Sequence, residues 1–93
     1  MLVGICEIII YLPNSHSLKD KRSILESYKA SLRKKYNISI AEIDQKNIWK
    51  KSIMGIVCIS DNRGAIDHIF QKIIRITENH SEIQLLNYRI SVN

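Results

Sequence analysis

A chain of 93 residues holds one domain, because a second independent core needs roughly 50 more. With 45% hydrophobic and 25% charged residues it has a globular composition, not that of a disordered tail, and no apolar run reaches the ~20 residues of a membrane-spanning helix. The formal net charge of +5 is concentrated in residues 19–36, where Lys19, Lys21, Arg22, Lys29, Arg33, Lys34 and Lys35 meet only Asp20 and Glu26.

Residues 2–12 are apolar on both alternations, with Gly4, Cys6, Ile8, Ile10 and Leu12 on one and Val3, Ile5, Ile9 and Tyr11 on the other; Glu7 interrupts the second. Continuous β-branched character of this kind predicts a central strand covered on both faces. The segment carries Glu7, lacks a basic leader and has no small-residue cleavage site, so it reads as a strand, not a signal peptide. A cytoplasmic location is expected. Pro13 and Asn14 end the strand.

Ser17-Leu18-Lys19-Asp20 resembles a capping box with Asp in place of Glu or Gln and opens a helix running to about Tyr36. Leu25, Tyr28, Leu32 and Tyr36 recur at helical spacing as its buried stripe. Lys19, Arg22, Glu26, Lys29 and Arg33 form its outer face. Lys34 and Lys35 suit the negative end of the helix dipole, and Asn37 suits the C-cap.

Residues 38–44 and 52–60 read as two further strands, joined by residues 45–51, a connection too long for a two-residue turn that contains Trp49. Trp49 is expected to pack on the sheet edge, or to anchor an interface. Ser60-Asp61-Asn62 opens a second helix, whose stripe is Ile66, Ile69, Phe70, Ile73 and Ile76. Residues 83–92 alternate again, with Leu86, Tyr88, Ile90 and Val92 predicted inward and Asn87, Arg89 and Ser91 outward.

Two right-handed crossovers joined by a hairpin give an α+β fold, the ferredoxin-like βαββαβ arrangement: a four-stranded antiparallel sheet with both helices on one face. The other face is then open. If Cys6, Ile8 and Ile10 point at the helices, Val3, Ile5, Ile9 and Tyr11 lie on the open face, with Glu7 able to pair with Arg89. An apolar patch of that extent predicts a homodimer, with Val3, Ile5, Ile9, Tyr11 and Trp49 as candidate interface residues.

Catalytic readings find little support. His16, His68 and His80 have no i,i+4 metal spacing, and Ser15, Ser17 and Ser60 read as turn or cap residues. There is no P-loop and no dinucleotide fingerprint, and residues 13–17 lack the glycines and arginine of an acylphosphatase cradle. Cys6 and Cys58 read as reduced, buried hydrophobes. No enzyme, cofactor or metal is expected. The third strand also lacks the aromatics on which RNA-recognition motifs stack bases. What remains for nucleic acid is sequence-blind phosphate binding by the first helix, with Lys19, Lys21, Arg22, Lys29 and Arg33 as candidates; a solvated lysine-rich face is the plainer alternative.

The run Ser17-Leu18-Lys19-Asp20-Lys21-Arg22, together with residues 37–42, Ile48-Trp49-Lys50-Lys51 and Ser60-Asp61-Asn62-Arg63, resembles the YlxP-like family of small bacterial proteins of unknown function. Asp61-Asn62 stands in the reverse of the family's order. The resemblance implies a ferredoxin-like fold and no known activity. Genes of that family often neighbour those for translation initiation and ribosome maturation, which implies RNA or a ribosomal particle as partner. Within the run, Leu18 is expected to staple the start of the helix to the core and Asp20 to favour its first turn. Lys21 and Arg22 are cations at the positive end of a helix, which suggests that they serve a ligand. On that reading, changing both to Glu weakens RNA association and leaves the thermal midpoint nearly unchanged.

Overall fold

The computed structural model describes residues 1–93. Strand β1 (Leu2–Tyr11) is followed by helix α1 (Leu18–Lys35), strands β2 (Ser39–Asp44) and β3 (Lys51–Ser60), helix α2 (Arg63–Glu78) and strand β4 (Gln84–Val92). The strands form one antiparallel sheet in the order β2-β3-β1-β4. This is the ferredoxin-like arrangement expected from the order of elements.

Burial follows the pleat. Along β1, Cys6, Ile8 and Ile10 are fully buried, while Val3, Ile5, Glu7, Ile9 and Tyr11 are only half-buried. In β3 the buried set is Ser52, Met54, Ile56 and Cys58, directly opposite the inward residues of β1. These meet Ile24, Leu25, Tyr28 and Leu32 of α1 and Ile66, Phe70, Ile73 and Ile74 of α2 in one continuous core. Each such aliphatic or aromatic side chain contributes about 1.5–3 kcal/mol on burial.

Both helices start at side-chain caps. Ser17 Oγ accepts from the Asp20 amide at 3.0 Å, and Asn62 Oδ1 accepts from the Ala65 amide at 3.1 Å. Asp20 completes its box on the His16 amide instead of the Ser17 amide, at 3.0 Å. Tyr36, not Asn37, caps the C-terminus of α1, and its amide donates to the Leu32 carbonyl. The helices are cross-linked inside the core. Thr77 Oγ1 donates to the Ile73 carbonyl at 2.8 Å, so its single proton is used and Tyr28 donates to it at 2.6 Å.

Further expectations shift, among them Tyr88, predicted inward but 44% exposed. A bulge after Ile9 pairs Ile9 with Asn87 but Ile10 with Leu85. Leu86 becomes the unpaired residue and is 48% exposed, while Leu85 packs on the core in its stead. Trp49 lies in the β2–β3 connection and is 53% exposed, so it is not packed on the sheet edge.

Gly4 sits where α2 crosses the sheet. A Cβ there would collide with Ile66 Cγ2 and come within 2.9 Å of Phe70 Cε2. Gly4→Ala should therefore overpack the core and cost about 1–3 kcal/mol, read as a lower urea midpoint.

Burial holds the Cys6 thiol neutral, pushing its pKa from 9.0 up to about 11, and the Tyr28 hydroxyl from 10.0 up to about 12. The unfolded chain ionises these groups first. Their contribution to stability is thus complete below pH 9 and is lost as pH rises through about 11 to 12. The urea midpoint should be flat from neutral pH to just below 9 and fall at higher pH; a midpoint unchanged at pH 10.5, roughly midway through this window, would contradict it.

Candidate functional site

Lys21 stands one turn into α1, beside Leu25 and Ile24 on the same side of the helix. It is 2% exposed. Its ammonium donates to the Gln45 carbonyl at 2.6 Å and to the Ile48 carbonyl at 2.7 Å, and it meets Glu42 Oε2 at 2.7 Å. Three donors thus find three acceptors, the condition under which a buried charge is tolerated. The same Glu42 oxygen accepts from the buried Ser52 hydroxyl at 2.6 Å. The side chain therefore ties α1 to β2, to β3 and to both ends of the turn between them.

The expected nucleic-acid residues separate accordingly. Lys21 is enclosed in the protein and cannot reach a phosphate backbone, which corrects its assignment. Lys29 pairs with Glu26 at 2.8 Å. That hydrogen bond, followed by the charge of Lys29, holds the Glu26 carboxyl below its ordinary pKa. Arg33 donates to the Ile40 carbonyl at 3.0 Å. Lys19 and Arg22 remain exposed and without ion pairs. Leu18 does not staple the helix to the core; it is 37% exposed at the rim of a groove.

That groove, of about 370 Å³, runs between α1 and the β2–β3 connection. Lys21, Arg22, Lys29 and Lys46 line it with Glu26, Glu42 and Asn47, and Leu18 and Leu25 are its only apolar walls. Lys46 and Asn47 had no role in the sequence reading. Nothing in their local spacing links them to a helix that starts 28 residues earlier.

The open face of the sheet carries the second surface. Cross-strand partners there are Val3 with Ile59, Ile5 with Val57, Ile9 with Ile53 and Tyr11 with Lys51, while Glu7 faces Gly55. Ile43, the unpaired residue of a bulge in β2, lies over Gly55, 3.0 Å from where a Cβ would stand. The candidate residues Val3, Ile5, Ile9 and Tyr11 do share this face. The β3 residues Ile53, Val57 and Ile59 belong with them, a set legible in the odd-numbered positions of residues 52–60. Glu7 and Arg89 are register partners with charged atoms 3.9 Å apart.

Titratable groups are dispersed elsewhere. Cys6 and Cys58 are both free and buried. His80 meets the Tyr28 ring edge-on at 5.8 Å, and its Nδ1 accepts from the Glu82 amide. His16 and His68 are exposed, and no three His, Cys, Asp or Glu side chains converge as a metal set. No helix is long and apolar enough to cross a membrane.

A family model described as Protein of unknown function (DUF503) matches residues 3–90. The Uncharacterized protein YlxP of Bacillus subtilis (strain 168) is 32% identical over 79 residues, spanning 85% of this chain and 84% of its own length. Among solved structures, the de novo designed protein Foldit4 superposes with a TM-score of 0.54 at 13% identity, covering 100% of this chain and 94% of the design. At that identity the likeness is one of fold alone. A designed protein with ferredoxin fold covers 100% of this chain and 84% of its own at a TM-score of 0.47 and 18% identity.

Removing Lys21 leaves the Ile48 carbonyl without a partner and the Glu42 carboxylate without its counter-charge, while the Gln45 carbonyl keeps the Ile48 amide. Lys21→Met should cost about 3 kcal/mol, lowering the thermal midpoint by roughly 10–20 °C. Its exposed neighbour should behave oppositely, with Arg22→Met staying within about 0.5 kcal/mol of the parent. Differential scanning calorimetry of the two single variants checks this. The burial of Lys21 thus reverses the expectation that a Lys21→Glu, Arg22→Glu double change leaves the midpoint nearly unchanged.

Proposed function

The chain belongs to the family described as Protein of unknown function (DUF503), and we propose that it is a non-catalytic binding module whose open sheet face pairs with a second copy of the chain. The observation that carries this reading is the ladder of apolar cross-strand pairs on the face the helices leave uncovered. Val57 and Ile59 are 39% and 61% exposed, and Ile43 is 49% exposed. β-branched side chains held in water at the centre of a sheet gain by covering one another.

Size and charge favour a second copy as the occupant. Four strands of this length present roughly 600 Å² in projection, comparable to the ~800 Å² of accessible surface each partner gives up in a standard interface. Glu7 and Asp44 stand on this face against Arg89 and Lys51, with Glu7 and Arg89 already adjacent. Two-fold pairing of identical faces brings the carboxylate of one copy toward the guanidinium of the other and leaves neither sign in excess.

RNA or a ribosomal particle is the weaker reading of this protein. Of the five side chains expected to make that contact, Lys21 is buried and Lys29 and Arg33 are engaged within the chain.

Sedimentation at about 50 μM, well above the dissociation constant of a standard-sized interface, should show a dimer that persists in high salt. Ile5→Glu and Val57→Glu should each yield a folded monomer, because neither side chain faces the helices. A parent chain that sediments as a monomer at that concentration overturns the proposal.

A further inference from the structure

We infer that the groove between α1 and the β2–β3 connection is a binding site for a doubly charged phosphate group of the phosphomonoester kind. Its charges do not balance. Glu42 is committed to Lys21 and Glu26 to Lys29. Arg22 and Lys46 line the same space, and neither is within ion-pair distance of a carboxylate. Four cations against two carboxylates leave this small concave surface with an excess of two positive charges, which an anion of charge −2 offsets. A phosphomonoester carries about that charge at neutral pH.

The donors also suit the ligand. The guanidinium of Arg22 offers the planar fork that matches phosphate oxygens, and Lys46 adds a point charge. The Asn47 amide supplies a neutral donor. The site is held in shape before any ligand arrives. Lys21 grips the carbonyls of Gln45 and Ile48, the residues immediately before and after Lys46-Asn47. Gln45 is fixed in the left-handed region at φ 63°. A turn pinned at both ends gives up little further freedom when it binds. The groove is within the size range of small-ligand pockets. It lies on the helix side of the sheet, so pairing of the open faces leaves it accessible, and it does not rest on that pairing.

The test is an amide-resolved NMR titration of the full chain with phenyl phosphate, alongside a short RNA strand lacking terminal phosphates. Phenyl phosphate should shift the amides of Arg22, Lys46 and Asn47 saturably. Changing Arg22 and Lys46 together to Gln should weaken it by about tenfold or more, while Lys34→Gln with Lys35→Gln, an equal loss of charge on the same helix, should change it less than about twofold. The absence of a saturable shift overturns the assignment, as does equal weakening by the two double variants, which would mean general attraction to a basic surface. RNA that saturates the same amides at lower concentration than phenyl phosphate also overturns it, in favour of a polymer backbone.

Discussion

The ammonium of Lys21 is the point on which the arrangement of the helix side depends. An isolated charge in a protein interior costs several kcal/mol, and this one is tolerated because every N–H has an acceptor. Two of those acceptors are backbone carbonyls of the β2–β3 connection; the Gln45 carbonyl also accepts from the Ile48 amide at 3.1 Å, whereas the Ile48 carbonyl relies on the ammonium. One side chain therefore satisfies the Ile48 carbonyl, positions Glu42 for Ser52, and fixes how α1 leans on the hairpin. The groove with its unpaired Arg22 and Lys46 follows from that clamp.

The sheet separates two environments by parity. Inward residues of β1 and β3 are sealed beneath the helices, and Gly4 is where backbone and α2 come closest. Outward residues are as β-branched as inward ones, yet no element of the chain lies over them. Helix and strand propensities are satisfied on both faces, but burial is satisfied on only one. That imbalance is the ground for the self-pairing proposed for the open face, on which Glu7 and Arg89 lie 3.9 Å apart.

The two surfaces lie on opposite sides of the sheet and differ in chemistry. One is apolar and nearly neutral, so the association proposed for it would be driven by burial and insensitive to salt. The other is concave and cationic, so its binding falls as salt screens it. The proposed self-pairing and the proposed anion site share no residue, so neither would compete with the other.

Much of this was determined by the sequence alone. Elements, sheet order, the Ser17 helix cap, the opening of the second helix at Ser60-Asp61-Asn62 and the division of β1 into two faces all follow from short-range spacing, because pleat and helical turn repeat every two and 3.6 residues. The pairing of Glu7 with Arg89 followed once strand order was known. Only the tertiary structure decided the rest. Lys21 reads as a surface cation beside Lys19 and Arg22, and its acceptors lie 24 and 27 residues away. The bulges that turn out Leu86 and Ile43, the exposure of Trp49 and the meeting of Lys46 with Arg22 likewise arise between distant segments. Local periodicity reports which side of an element a residue occupies; what waits on that side is set by packing, and for a long, flexible lysine that decides between solvent and core.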